Sequence, residues 1–352
     1  MQTISGDIMS KDRVVATIRD GLIAKSDPAL IPLFLKRTGD VEEWLRGRAI
    51  DTHRTNSRLL KKALRLASAD DVDVVLKVHA STITDNYWFR ADGSGLRYED
   101  VRFKANYFDK LALLGSPDSF NQPYSPTPEL TNIGSFEKCW RLADGKWWML
   151  KQGNDLERFS EIFISKLGQA LGLPMVDYFP ENGTIKCSDF TGGASVNYEA
   201  ADGLVGGDES YDLNFGVFWD LSPDLAEQYL QIIYLDTLCF NMDRHTKNYG
   251  VLRDVGTGAI LRMAPNYDNN IALFARGVPE NLDRSNDKLI SLFLELLGQD
   301  GRALRIANRF PTPDRGMISK CVKQAAIPMD TETVCTFVMN GSEQIREYIL
   351  RE

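Results

Sequence analysis

The sequence of 352 residues predicts an α+β protein with a mainly helical N-terminal module, a small β-rich lobe and a larger helical lobe. Three observations predict this order. Apolar residues recur at helical spacing between about 10 and 115, a stretch rich in Pro and Ser follows at 116–130, and short aromatic runs joined by turn sequences come next. We therefore assign residues 1–118 to the module, 119–191 to the small lobe and 192–352 to the large lobe.

The N-terminal module contains three segments with apolar residues three and four positions apart. They are "DPALIPLFLKR" at 27–37, "DVEEWLRGR" at 40–48 and "TNSRLLKKALRLA" at 55–67. This spacing is typical of amphipathic helices, and Thr55 is a suitable N-cap for the third. The module is therefore predicted to be mainly helical.

Two hairpins and one helix are predicted in the small lobe. "ADGK" at 143–146 and Asn182-Gly183 are turn sequences of the kind that join antiparallel strands. Between them, "DLERFSEIFISKLGQALGLP" has helical periodicity and stops at Gly172 and Pro174. The predicted order is strand, strand, helix, strand, strand.

The large lobe opens with a strongly apolar helix at 223–240, "PDLAEQYLQIIYLDTLCF", which runs into the polar decapeptide "NMDRHTKNYG" at 241–250. A hairpin follows, with Gly256 and Gly258 in its turn. The remainder is predicted to be mostly helical.

Composition excludes several classes of protein. Apolar and charged fractions of 43% and 26% are ordinary for a globular protein, and the net charge of −8 disfavours generic binding to a polyanion. One stretch, 36–65, holds nine basic and four acidic residues; a solvated helix face is the favoured interpretation over a nucleic-acid or anionic-partner surface.

Cysteine usage and apolar runs indicate the compartment. Five scattered cysteines without a CxxC pair predict neither a disulfide framework nor a zinc cluster. The N-terminus lacks the apolar core of a signal peptide, and no run approaches the length that spans a bilayer. We expect a cytoplasmic protein that does not enter the membrane.

The chemistry is concentrated in the polar decapeptide. Asp243 and Asn248 are five residues apart, and Asp268 follows at the end of the next hairpin. Phosphoryl transfer needs an aspartate to orient the attacking hydroxyl, and an asparagine and a second aspartate to hold Mg²⁺. Protein kinases have the same Asp-to-Asn spacing, followed by a metal-binding aspartate.

Two upstream residues strengthen this interpretation. Lys151 lies in an apolar, strand-like run, which suits a lysine that contacts phosphates, and Glu161 on the next helix could form the ion pair that holds it. The chain order is that of a two-lobed, protein-kinase-like fold.

Four motifs then resemble the HipA-like kinase family, the bacterial Ser/Thr kinases that include the HipA toxins. They are "GSFEK" at 134–138, "ERFSEIFISKLGQALGLP" at 157–174, "DRHTKN" at 243–248 and "MAPNYDNN" at 263–270. The resemblance spans roughly residues 125–350. The N-terminal module shows no residue-level resemblance to the β-rich N-terminal subdomain of HipA toxins.

The resemblance implies an enzyme that uses ATP and Mg²⁺, and it assigns roles to residues of this chain. Asp243 would be the catalytic aspartate, with Asn248 and Asp268 as Mg²⁺ ligands. The residues that would bind the nucleotide are Gly134, Ser135 and Lys138 in the phosphate loop, Lys151 with its partner Glu161, and Asp189 and Phe190 at the adenine hinge. Thr131, before the phosphate loop, would be an autophosphorylation site.

Several alternatives stay open. The favoured function is a Ser/Thr protein kinase of unknown substrate, with an antitoxin or regulatory partner. A small-molecule kinase would use the same Asp-to-Asn loop, and a regulatory or DNA-associated protein could bind nucleotide with little turnover and act through 36–65. His245 and Lys247 suit phosphate contacts and loop-structuring roles equally.

Overall fold

The computed structural model describes residues 4–49, 71–106, 109–114, 128–130 and 137–352. The predicted helix at 55–67, the boundary near 118 and residues Thr131, Gly134 and Ser135 lie outside these ranges. The chain forms two compact units. The first comprises Met1–Gln152, Ser188–Glu199 and Val251–Leu261, and the second Gly153–Cys187, Ala200–Gly250 and Arg262–Glu352. The lobe boundaries at 118 and 191 stay predictions.

The first unit begins with a four-stranded antiparallel sheet in the order β3-β2-β1-β4. The strands are β1 (Gly6–Ser10), β2 (Arg13–Arg19), β3 (Leu22–Ser26) and β4 (Tyr87–Ala91). The helical interpretation of the chain from about residue 10 is therefore wrong at 13–26. "RVVATIR" is rich in β-branched residues, and Asp20 and Gly21 adopt the positive φ angles of a tight turn.

The described residues of this unit also form short helices. They are α1 (Leu33–Thr38), α2 (Val41–Arg46), α3 (Asp71–Lys77), α4 (Tyr98–Val101) and α5 (Asp109–Leu114). Trp44 and Leu45 of α2 and Val75 of α3 share one core with Ile8 and Ile18 of the sheet. The predicted helices at 27–37 and 40–48 are thus present, but each has only six residues.

The predicted hairpin around Asp144 and Gly145 is confirmed, with β5 (Lys138–Ala143) and β6 (Lys146–Lys151). Asp144 and Gly145 have φ angles of 53° and 70°, as a two-residue type I′ turn requires. A three-stranded sheet in the order β11-β10-β9 belongs mostly to this unit. Its strands are β9 (Val196–Ala200), β10 (Gly250–Asp254) and β11 (Ile260–Met263).

The second unit contains the other predicted hairpin, β7 (Tyr178–Glu181) and β8 (Thr184–Ser188), turned at Asn182 and Gly183. Helix α6 (Asp155–Ala170) begins at a capping box between Asn154 and Glu157 and is followed by Gly172 at φ 72°. The hairpin and the end of the helix at Gly172 agree with the prediction, and the capping box is a further finding.

The rest of this unit is mainly helical. Its helices are α7 (Asp202–Val205), α8 (Tyr211–Leu221), α9 (Pro223–Cys239), α10 (Lys288–Gln299), α11 (Gly301–Ala307), α12 (Arg315–Ala325) and α13 (Thr331–Arg351). Helix α9 lies at the centre and packs against α8, α10, α11 and α13. In the described ranges, no helix combines the length and apolar character needed to cross a bilayer.

Candidate active site

The end of α9 positions the polar loop (residues 241–250). Phe240 adopts a left-handed conformation with φ 51° and ends the helix, and the Asn241 N–H donates back to the Asp236 carbonyl at 2.9 Å. The buried Arg284 guanidinium donates to the carbonyls of Thr237 and Leu238 at 2.6 and 2.8 Å. A cation therefore caps the carbonyl end of the helix, where the helix dipole is negative.

Arg244, the second residue of the "DRH" sequence, points inward from this loop. Its side chain is 3% exposed and that of Asp236 is 1% exposed. The pair is bidentate, with Arg244 Nε 2.7 Å from Asp236 Oδ2 and Nη2 2.9 Å from Oδ1. Two parallel charge-assisted bonds fix the plane of the guanidinium as well as its position.

The same guanidinium joins the polar loop to the Asp268 segment (residues 266–270). Nη1 donates to the carbonyls of Asn248 at 2.9 Å and Tyr267 at 2.8 Å. Nη2 donates to the side-chain oxygens of Asn266 at 2.9 Å and Asn269 at 2.8 Å. Two stretches some twenty residues apart in sequence are therefore held by one buried side chain.

Two asparagines fix the backbone of Asp243 from both sides. Its N–H donates to Asn241 Oδ1 at 3.2 Å, and its carbonyl accepts from Asn248 Nδ2 at 2.7 Å. Asn248 Oδ1 also accepts from the His245 N–H at 3.0 Å. The loop is therefore rigid where Asp243 projects, and Asp243 itself is exposed.

Asp268 adopts a left-handed backbone conformation with φ 63°, which is uncommon for a residue other than glycine. Its neighbours hold it there. Tyr267 accepts from Arg244, and the Asn269 N–H donates to Glu161 Oε1 at 2.9 Å. Glu161 is fully buried on α6, so the structure adds a contact for this residue that the sequence did not predict.

The electrostatics of Asp243 indicate that two carboxylates lie near one another. Desolvation by the surrounding protein raises the pKa of Asp243 above the ordinary value of 3.8, and the charge of Asp268 raises it further. His245, Arg244 and Arg276 oppose the rise. Arg276 is a further residue near Asp243 that the sequence did not single out.

The donor set at this place suits Mg²⁺. Asp243, Asp268 and Asn248 offer carboxylate and amide oxygens, which are the hard ligands that Mg²⁺ prefers, and this ion usually retains several waters. Asn248 Oδ1 accepts from the His245 N–H at 3.0 Å and from Arg244 Nη1 at 3.5 Å. Among the residues that the structure describes, no group of three or more His, Cys, Asp or Glu side chains could hold a metal.

The predicted phosphate-binding lysines lie in the first unit. Lys151 ends β6 and is directly opposite Lys138 of β5, so both side chains project from the same face of the hairpin. They are 4% and 6% exposed. Like charges opposite one another are unfavourable unless negative charge is close. The ion pair between Lys151 and Glu161 stays a prediction.

The predicted adenine hinge at Asp189 and Phe190 lies in a turn that the Asp189 side chain closes. The Asp189 carboxylate accepts from the N–H groups of Thr191 and Gly193 at 2.8 and 2.6 Å. The Asp189 N–H donates to the Trp147 carbonyl at 2.9 Å, so a backbone contact to adenine at this residue would use its carbonyl. The Phe190 ring packs edge-on against Tyr198, with centroids 5.5 Å apart.

His245 has a structural role in the polar loop. Its Nδ1 accepts from the Lys247 N–H at 3.2 Å, which places the proton of the neutral ring on Nε2. His245 therefore takes part in the structure of the loop as an acceptor, where donation to a neighbouring carbonyl was predicted. A phosphate contact through Nε2 is compatible with it.

Comparison with known proteins identifies the fold. HipA of Shewanella oneidensis MR-1, from a structure of a toxin–antitoxin system with HipB and operator DNA, matches with a TM-score of 0.56 and 14% identity. The match covers 99% of this chain and 97% of that chain. The chain has the HipA fold. The predicted fold class is therefore confirmed, and the HipA fold extends over the N-terminal module as well.

A second comparison is more partial. The proinflammatory kinase CtkA of Helicobacter pylori gives a TM-score of 0.40 at 16% identity, covering 60% of this chain and 94% of that chain. No family model matches this sequence, and no curated protein matches it.

Proposed function

We propose that this protein is an ATP- and Mg²⁺-dependent phosphotransferase of HipA-like type, which phosphorylates a Ser or Thr hydroxyl of a protein. One observation carries the proposal. The charge of Asp268 raises the pKa of Asp243, and the polar loop and the Asp268 segment that bear them are joined by Arg244, in a chain with the HipA fold. This is the arrangement that metal-assisted phosphoryl transfer requires.

Asp243 would orient the attacking hydroxyl and accept its proton. Its exposure leaves it accessible to a substrate, and its raised pKa makes it a better base than an ordinary aspartate. The fixed backbone on both sides supplies the positioning on which phosphoryl transfer mainly depends.

Asn248 and Asp268 would hold Mg²⁺, which when bound supplies positive charge to the phosphate oxygens. Lys151 and Lys138 would contact the phosphates, and Asp189 and Phe190 would border the adenine. Glu161 would act through Asn269 on the Asp268 segment. Gly134 and Ser135, assigned to the phosphate loop, lie outside the described residues.

The test is transfer of radiolabelled phosphate from ATP with purified protein, in Mg²⁺ and in excess EDTA. We expect incorporation that requires Mg²⁺ and is lost in Asp268→Asn. Asp224→Asn is the matched control, because Asp224 is an exposed aspartate at the other end of α9. Absence of transfer to any component of a whole-cell extract by wild-type protein would refute the proposal.

The acceptor is tested in the same assay. Label in gel-resolved proteins of the extract supports a protein kinase, whereas label only in the small-molecule fraction supports a kinase of antibiotics or metabolites. Thr131 is proposed as the autophosphorylation site. Mass spectrometry of the purified protein after incubation with ATP should find phosphate there, and Thr131→Ala should remove it.

A regulatory partner is also proposed, because the neighbour HipA was solved with HipB and operator DNA. With a net charge of −8, direct DNA binding by this chain would depend on the basic stretch 36–65. A gel shift by the purified chain that weakens steeply with salt would favour a DNA-associated role. No shift without a second protein would favour a partner that contacts the DNA.

A further inference from the structure

Arg244 has no role among the catalytic, metal and nucleotide-binding residues. We propose that Arg244, oriented by Asp236, is the positioning residue that sets the distance between Asp243 and Asp268 and so determines how tightly the site holds Mg²⁺. The activity part of this inference rests on the proposed function, whereas its structural part can be measured without activity.

The first argument is the number of acceptors around one planar group. A guanidinium has five N–H groups in one plane, and those of Arg244 lie within hydrogen-bond distance of both Asp236 oxygens, the Asn248 and Tyr267 carbonyls, and the amide oxygens of Asn266 and Asn269, so that Nη2 shares its two N–H groups among three acceptors. The acceptors come from α9, the polar loop and the Asp268 segment. A lysine carries only three donors on one nitrogen and could not reach all three elements at once.

The second argument is the position of Asp236. Its Oδ1 accepts from Arg244 Nη2 at 2.9 Å and from Asn241 Nδ2 at 3.0 Å. Asn241 in turn accepts from the Asp243 N–H. One buried carboxylate on a rigid helix therefore orients the groups that hold Asp243 on one side and Asp268 on the other.

The third argument is the strained backbone of Asp268. Its φ of 63° persists because both adjacent peptide groups are anchored, one to Arg244 and one to Glu161. If the Arg244 anchor is lost, the Asp268 backbone can return to a commoner conformation. Its carboxylate would then move relative to Asp243.

The principal variant is Arg244→Lys, which keeps a positive charge beside Asp236 but removes most of the bonds. We expect the Mg²⁺ concentration that gives half-maximal transfer to rise roughly 10- to 100-fold, the size typical of losing a partner that orients metal ligands. At saturating Mg²⁺, kcat should remain reduced and the KM for Mg·ATP should be nearly unchanged. Asp236→Asn should show the same pattern more weakly.

Arg315→Lys is the matched control. Arg315 also pairs with a carboxylate, its Nη1 lying 2.7 Å from both Glu332 oxygens, but its side chain is 57% exposed and lies on α12. We expect wild-type Mg²⁺ dependence from it. Wild-type Mg²⁺ dependence and kcat in Arg244→Lys, with only a lower melting temperature, would overturn the positioning role.

Hydrogen exchange gives a readout that does not depend on activity. In Arg244→Lys, the amides of Asn248 and Asn269 should exchange faster, while those of α10 keep their protection. Equal acceleration throughout the second unit would mean general destabilisation and would overturn the inference. If wild-type protein transfers no phosphate, the proposed function fails, and the exchange measurement still decides the role of Arg244.

Discussion

Arg253–Glu199 of the first unit and Arg244–Asp236 of the second are both buried arginine–carboxylate pairs, and they differ in what they hold. In the first unit, Arg253 pairs with Glu199, and their side chains are 2% and 9% exposed. Arg253 also donates to the carbonyls of Ala29 at 2.6 Å and Gly258 at 2.9 Å. Glu199 accepts from the Tyr87 hydroxyl at 2.9 Å. This pair joins the hairpin after β10 to the segment before α1.

The pair in the second unit, Arg244 with Asp236, is equally buried but holds stretches that carry accessible carboxylates. Burying an ion pair costs desolvation energy, so its presence is weak evidence for either stability or function. What distinguishes the two pairs is their acceptors. The first pair holds backbone carbonyls and the Tyr87 hydroxyl, and the second holds the stretches that bear Asp243 and Asp268.

The largest difference between the two regions is expected in phosphotransfer activity, when a carboxylate of each region is replaced. Asp243→Asn should lower kcat for phosphotransfer by about 100- to 10,000-fold, the range for a lost general base. Glu199→Gln, at the other pair, should leave the specific activity of folded protein near that of wild type. Substantial transfer by Asp243→Asn in Mg²⁺-replete buffer would contradict the catalytic role.

A substitution in the first pair should lower the unfolding free energy and leave the activity of the folded protein intact. Arg253→Met leaves Glu199 buried without its cation, and losing one partner of a buried pair typically costs about 3–5 kcal/mol of unfolding free energy. Urea unfolding measures this loss. Below the transition, Mg²⁺-dependent transfer should persist. If activity falls further than the folded fraction does, the first pair also serves the site.

The contact of Arg284 with the end of α9, which precedes the polar loop, can be tested by a substitution at Gly341 on α13. A Cβ at this position would collide with Nη1 of Arg284, the arginine that caps α9. Gly341→Ala should therefore lower the unfolding free energy by about 1–3 kcal/mol. The control is Gly216→Ala in α8, where the added Cβ meets nothing within 4 Å. It should gain about 0.5–1 kcal/mol from helix propensity.

The smallest expected effect concerns pH. Folding raises the pKa of Asp243, so the folded state favours the protonated carboxyl. The stability that this protonation contributes is fully present below the ordinary pKa, and it is lost as the pH rises through the raised pKa of the folded chain. Asp243→Asn should then melt slightly above wild type near pH 7, and the difference should vanish in acid. A lower melting temperature for the variant at pH 7 would contradict this electrostatic description.

The sequence predicted those elements whose signals are local. Asp144-Gly145 and Asn182-Gly183 specify their hairpins because type I′ turns need positive φ at both residues, and α6 carries its own cap. The sheet at 6–26 was missed because apolar residues at helical spacing later in the module were extended backward over a β-branched run. Helix and strand periods are hard to separate in such short segments.

The sequence predicted the side chains proposed to act in the site, but it did not predict the buried contacts that hold them. Asp243, Asn248 and Asp268 stand out because polar residues end an apolar helix. Arg244 and Asp236 pair only after the left-handed turn at Phe240 brings them together. Glu161 and Asn269 are 108 residues apart. Contacts of this kind depend on tertiary structure, which sequence spacing does not specify.

The most direct test of the account is a crystal structure with Mg²⁺ and a non-hydrolysable ATP analogue. We predict an ion coordinated by Asn248 Oδ1 and the Asp268 carboxylate, at about 2.0–2.1 Å, with the Asp243 carboxylate beside the terminal phosphate and Arg244 still bonded to Asp236. An ion bound elsewhere, or an analogue bound away from these three side chains, would contradict the assignment of this loop as the site of phosphoryl transfer.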